Sequence, residues 1–143
     1  AVRRGWIEKA GKKEMRPIGI PPVRDRVIQP ALRSVLEPIF ERDFVEHSYG
    51  FRPKRGCKDA LRRVDGLLNS GCTWVVDADL KSYFDTIPHE QLMARVKEKV
   101  ADGRVLELIE AFLNQKVLDG REAGQPTSGS PQGGVISPLL SNI

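Results

Sequence analysis

The sequence predicts a mixed α/β (α+β) fold, rich in helix and short of strands, and three observations predict it. Apolar residues recur at helical spacing in four stretches, while only residues 16–21 and 73–80 read as strands. The composition, 40% hydrophobic and 29% charged over 143 residues, is that of one globular domain with one core. No repeat, linker or low-complexity tract divides the chain.

Residues 1–15 are polar and basic and carry little periodicity. Arg16 to Pro21 reads as extended, with Ile18 and Ile20 alternating and Pro21-Pro22 stopping the strand. From Asp25 a helix is expected, with Val27, Ala31, Val35 and Ile39 at four-residue steps and Ile28, Leu32 and Leu36 alongside. Pro30 and Pro38 should break or kink it. A Gly/Pro/Arg loop fills 48–56. A second helix follows from about Lys58, with Ala60, Leu61, Val64, Leu67 and Leu68 on one face and Gly71 beyond its end. Thr73 to Leu80 is the best strand, running through Trp74, Val75 and Val76 into Asp77-Ala78-Asp79. Helices are expected at 88–100, opened by Pro88, and at 103–118, with Val105, Leu108, Ile109, Phe112 and Leu113 in one stripe. Asp119-Gly120 is a turn, 124–134 a loop, and a last helix opens near Val135. These strands are too few for a complete sheet.

Several function classes drop out. No run approaches the roughly 18 apolar residues of a membrane span, and no basic-then-apolar signal region opens the chain. Cys57 and Cys72 are too few for a disulfide framework or a four-thiolate metal site. A reducing, cytoplasmic setting is the simplest reading. The charge is uneven: residues 1–63 carry a net +8 and residues 64–143 a net −4. A basic half beside an acidic half suggests a polyanion-binding surface next to a site for cations.

Asp77 and Asp79, two apart at the end of an apolar strand, would share one face and could hold a hard cation such as Mg²⁺ through oxygen. By spacing alone such acids are as often turn formers or caps. Ser130-Pro131-Gln132-Gly133-Gly134 leads into a helix, a geometry that offers backbone N–H groups to an anion; taken alone it is a plain loop-to-helix junction. Lys12, Lys13, Arg16, Arg24, Arg26, Arg52, Lys54 and Arg55 would suit phosphates, or form a solvated face. His47 and His89 stand alone and read as structural or surface residues.

Four blocks in order, Arg16 to Pro21 (RPIGIP) with Asp25 to Gln29 (DRVIQ), Ser48 to Pro53 (SYGFRP), Asp77 to Asp85 (DADLKSYFD) and Pro131 to Ile143 (PQGGVISPLLSNI), resemble the reverse transcriptase of group II intron-encoded proteins. They cover nearly everything from Arg16 onward. The resemblance implies part of a right-hand polymerase fold, with a basic fingers region over 1–72 and a proximal palm over 73–143. It further implies an RNA-directed DNA polymerase and maturase that uses Mg²⁺ (or Mn²⁺) and dNTPs and binds its intron RNA template and a DNA primer.

Residue by residue, Asp79 matches the catalytic, metal-binding aspartate of the family's first palm motif, and Leu80 would offer its carbonyl to a second metal. Asp77 is offset and reads as a supporting acid. Tyr83 matches the aromatic under the incoming sugar that excludes a 2′-hydroxyl, with Phe84 its rival. Gln132 and Gly133 match the segment beside the nucleotide. Arg16 and one of Lys12 or Lys13 match the fingers cations on the triphosphate. Arg24, Arg26, Arg52, Lys54 and Arg55 remain for RNA.

The family's Tyr-Ala-Asp-Asp hairpin, thumb and N-terminal block are not in this sequence. The chain is therefore expected to be a fragment, inactive alone and prone to pair as a homodimer through exposed surface. A retron or diversity-generating reverse transcriptase is an alternative, as is a non-catalytic RNA-binding maturase relic with a vestigial Asp79; a Tyr-X-Asp-Asp sequence downstream would distinguish them.

Overall fold

The computed structural model describes residues 1–8, 11, 13–120, 122–124 and 126–143. The N-terminal residues form a strand, β1 (Val2–Glu8), which pairs antiparallel with β2 (Met15–Ile20). Residues 1–15 carry no apolar alternation, and only Val2 of β1 is buried, so β1 is fixed by its ladder rather than by its side chains. Pro17 and Gly19 of β2 are two apart, so their nitrogens face the same outer edge. Proline brings no N–H there, and Gly19 gives its own to the carbonyl of Gln132 at 2.5 Å.

The next helix, α1 (Val23–Phe40), runs unbroken through Pro30 and Pro38, and the expected break at each is absent. Both prolines and the residues four before them, Arg26 and Ser34, are exposed, so water can take the released carbonyls. The buried stripe is Asp25, Gln29, Leu32, Leu36 and Phe40. Val27 and Val35, expected on the core side, are exposed. Packing on both sides of each proline outweighs its local penalty.

The following helix, α2 (Cys57–Asn69), starts where Gly56 N–H donates to Asp59 Oδ2 at 3.0 Å, and Gly71 at φ +96° follows its end. Its apolar face is not core: no residue of α2 is buried. The expected strand over 73–80 is not formed. Residues 73–80 carry no regular secondary structure, and no strand among the described residues runs alongside them. Without a ladder partner an apolar segment has nothing to pack on, and Trp74 and Val76 are each 94% exposed.

A short helix, α3 (Tyr83–Thr86), precedes α4 (His89–Lys97) and α5 (Gly103–Leu113), both shorter than the periodicity suggested. Pro88 is the residue before α4, and Asp102 caps α5 by accepting from Arg104 N and Val105 N at 2.8 and 3.1 Å. The end of the expected fourth helix is instead β3 (Val117–Asp119), joined by the turn at Gly120 to β4 (Glu122–Gly124). β3 pairs parallel with β1, giving a four-stranded sheet of order β2-β1-β3-β4, and Arg4 pairs with Asp119 at 3.1 Å. The chain closes with α6 (Ser137–Leu140).

One core joins α1 to α4, α5 and α6. Leu32, Leu36 and Phe40 of α1 pack with Val96 of α4, Ile109 and Leu113 of α5, and Leu140 of α6. Among the described residues no helix is long and apolar enough to cross a membrane.

Candidate active site

Two loops meet beside the sheet. After Ser82, at φ +52°, α3 turns the chain so that the Phe84 and Ile87 carbonyls accept from Ser130 N and Gly129 N at 2.7 and 2.8 Å. Ser128 Oγ donates to the Asp85 carbonyl at 3.1 Å, and His89 Nε2 donates to the Gly129 carbonyl at 2.6 Å. His89 thus has a structural bond, as the sequence suggested. Gly129 is at φ +83°, and a Cβ there would stand 2.7 Å from the Phe84 and Asp85 carbonyls, so only glycine fits.

The chain continues through Pro131 to Gln132, whose carbonyl accepts from Gly19 N and whose Oε1 accepts from Arg16 Nε at 3.0 Å. Gly133 is at φ +110°, and a Cβ there would run into the Gly19 carbonyl. From the other side Gln29, buried on α1, accepts with Oε1 from Val135 N at 2.7 Å. Ser137 Oγ donates to the Pro131 carbonyl at 2.9 Å. The Gln132–Gly133 loop is therefore held between β2 and α1, and its amide side chain meets the Arg16 guanidinium. Phe84, Gly19 and Gln132 line one open cavity of about 330 Å³. Tyr83 turns elsewhere: its hydroxyl donates to the Ser141 carbonyl at 3.0 Å, and it lines a separate groove with Leu92 and Leu140.

The expected metal ligands are exposed. Asp77, Asp79 and Leu80 lie on the unpaired 73–80 segment, and among the described residues no group of three or more His, Cys, Asp or Glu gathers to hold a metal. The donors are all oxygen, the chemistry a hard cation takes, but their number falls short of the six or more it needs. Lys13 is exposed, and Lys12 lies outside the described residues.

Of the basic residues expected on RNA, Arg24, Arg26 and Lys54 are exposed. Arg55 is half-buried and donates to the Glu46 carbonyl. Arg52 departs from that expectation. Its side chain is 3% exposed, forks onto Glu41 at 2.7–3.1 Å, donates to the Val45 and Ser48 carbonyls at 2.6 and 3.0 Å, and lies over the Phe44 ring. A guanidinium so enclosed has no face for a phosphate. Its hydrogen bond holds the Glu41 carboxyl below its ordinary range.

Sequence reading missed one partner of the site, Gln29, which sits on the buried stripe of α1 together with Asp25, itself an acceptor from Gln115 Nε2 at 2.5 Å. Polar residues on a core stripe were the available signal.

Residues 7–143 match the family model described as "Reverse transcriptase (RNA-dependent DNA polymerase)". The chain is 42% identical over 142 residues to group II intron-encoded protein LtrA of Lactococcus lactis subsp. cremoris, covering 99% of this chain and 24% of LtrA. It is 45% identical over 146 residues to protein YkfC of Escherichia coli, covering 99% of this chain and 38% of that one. In a solved partial Cas6-RT-Cas1–Cas2 complex a chain superposes with TM-score 0.62 at 28% identity, over 99% of this chain and 24% of the other. The chain thus spans about a quarter to two fifths of the length of these relatives.

Proposed function

The chain belongs to the reverse transcriptase (RNA-dependent DNA polymerase) family, and on that premise we propose that it supplies the fingers (1–72) and first part of the palm (73–143) of a group II intron-encoded reverse transcriptase with a maturase role. The observation that carries this reading is the joining of Arg16 to Gln132 at 3.0 Å. It brings a cation on β2 and an amide on the loop before α6, the two groups the motifs assign to the incoming nucleotide, to one place.

In this reading Arg16 keeps its planar Nη pair for the triphosphate, and the motif assigns one of Lys12 or Lys13 as a second cation for it. Gln132 orients Arg16 and presents its Nε2 to the nucleotide, while Gly133 lets the backbone come close. Of the two candidate aromatics, Phe84 shares a cavity with Gln132 and Tyr83 does not, which favours Phe84 as the wall against a 2′-hydroxyl. Asp79 and the Leu80 carbonyl would hold Mg²⁺ or Mn²⁺, with Asp77 in support and further carboxylates needed from elsewhere in the protein. When bound, such ions supply charge stabilisation to the attacking and leaving oxygens of nucleotidyl transfer. Arg24, Arg26, Lys54 and Arg55 are the RNA contacts, a set from which Arg52 is withdrawn. The exposed apolar stretch around Trp74 and Val76 is where copies of the isolated chain would associate.

Primer extension by the full-length protein on an RNA template tests the reading. Wild type should add dNTPs, and Arg16→Ala and Gln132→Ala should raise KM for dNTP. An inactive wild type that still binds RNA would favour the maturase relic instead.

A further inference from the structure

Phe51 is a large hydrophobe on a loop, 61% exposed, with its backbone in the left-handed region at φ +55°. Both features are unfavourable for phenylalanine, and a bulky residue persists there only where its surroundings over-determine it. Three contacts do so. Arg52, next in sequence, anchors the loop through Glu41 and the Val45 and Ser48 carbonyls. The carbonyl of Gly50 accepts from Asn142 Nδ2 at 2.9 Å, tying the loop to the turn after α6. The Phe51 ring itself meets Phe84 edge to face, centroids 6.3 Å apart and planes at 89°.

Phe84 also meets its neighbour Tyr83 edge to face, centroids 6.2 Å apart, and the Tyr83 hydroxyl is fixed on the Ser141 carbonyl. Its ring thus touches two tethered aromatics, Tyr83 through the Ser141 carbonyl and Phe51 through the Arg52 clamp. We infer that Phe51 is a specificity-determining residue that stiffens Phe84 through their edge-to-face contact, with Arg52 and Glu41 as the positioning pair that keeps Phe51 in place. The inference rests on the reading of Phe84 as the wall against the 2′-hydroxyl. A wall rejects one extra hydroxyl only if it cannot yield, and exclusion on this atomic scale is worth roughly 10- to 200-fold. A Phe84 ring without that contact can swing toward the space Phe51 leaves.

The test compares kcat/KM for dNTP and for rNTP in primer extension by the full-length protein. Phe51→Ala should lower the dNTP preference about tenfold, the low end of that range. The change should lie in better rNTP use, with kcat for dNTP nearly unchanged, and Phe51→Tyr should restore the preference. A role confined to stability would lower both activities together and leave the ratio alone. If Phe51→Ala fails to fold, Phe51→Leu keeps the apolar bulk without the ring edge and should show the same loss. A dNTP preference equal to wild type in the folded variant overturns the inference. Wild-type protein inert toward dNTPs overturns the polymerase reading itself, a result seen before any variant is made.

Discussion

Arg16 donates from Nε to Gln132 Oε1 at 3.0 Å, so two side chains 116 positions apart act as one unit across the gap between β2 and the loop before α6. Residues joined this way should not contribute independently. In the full-length protein, Arg16→Ala and Gln132→Ala should each raise KM for dNTP. The double variant should cost less than their sum by about 0.5–3 kcal/mol. Steady-state primer extension gives this coupling, and strict additivity would mean the bond is not made in the working enzyme.

Gly133 has φ +110° and no room for a side chain against the Gly19 carbonyl. Gly133→Ala should therefore destabilise the chain by about 1–3 kcal/mol, the cost of a strained backbone. Gly66 on α2 has open space around it and a helical backbone, so Gly66→Ala should change stability the other way, by about 0.4–1 kcal/mol. Urea unfolding of the two variants checks both signs.

The Arg52 clamp gives stability a pH dependence. Its hydrogen bond lowers the folded pKa of Glu41 from 4.5, so the ionised carboxylate contributes fully above that value. The contribution is lost as pH falls through the lower folded pKa. Thermal unfolding between pH 7 and pH 3 should show Glu41→Gln to be less stable than wild type at pH 7, with the gap closing below pH 4.5. A gap that stays constant with pH would remove ionised Glu41 from the clamp.

RNA binding should separate Arg52 from its neighbours. Removing a cation that neutralises one phosphate flattens the slope of log K against log salt by about 0.7–0.9. Lys54→Ala and Arg26→Ala, at exposed positions, should each show that reduction. Arg52→Lys should leave the slope unchanged while lowering the melting temperature, because Arg52 is enclosed by Glu41, Val45 and Ser48.

How much of this was legible depended on whether the signal is local. Arg16 to Pro21 showed itself as β2 through alternation and its stop signal, and α5 showed itself through its apolar stripe from Val105 to Leu113. β1 was hidden, because a polar strand held by ladders on both sides writes nothing periodic into its own residues. The segment 73–80 misled in the opposite sense: its propensity is that of a strand, but pairing is a property of neighbours and none lies beside it among the described residues. On α1 the four-residue valine series outweighed Asp25 and Gln29, which take the inner stripe because their polar groups find Gln115 and the Val135 amide. Arg16 and Gln132 were named through motif resemblance, and the fold joins them at 3.0 Å. Phe51 was not, since only the folded loop brings it to Phe84.

The central claim is that this chain carries the first catalytic carboxylate of a reverse transcriptase at Asp79, and single-nucleotide primer extension by the full-length protein tests it most directly. Asp79→Asn keeps the size of the side chain and removes its charge. It should abolish dNTP addition while RNA affinity stays within about twofold of wild type, because the basic residues of 1–63 are untouched. Asp77→Asn should retain measurable extension. Wild-type extension by Asp79→Asn, or its loss in Asp77→Asn alone, would contradict the account.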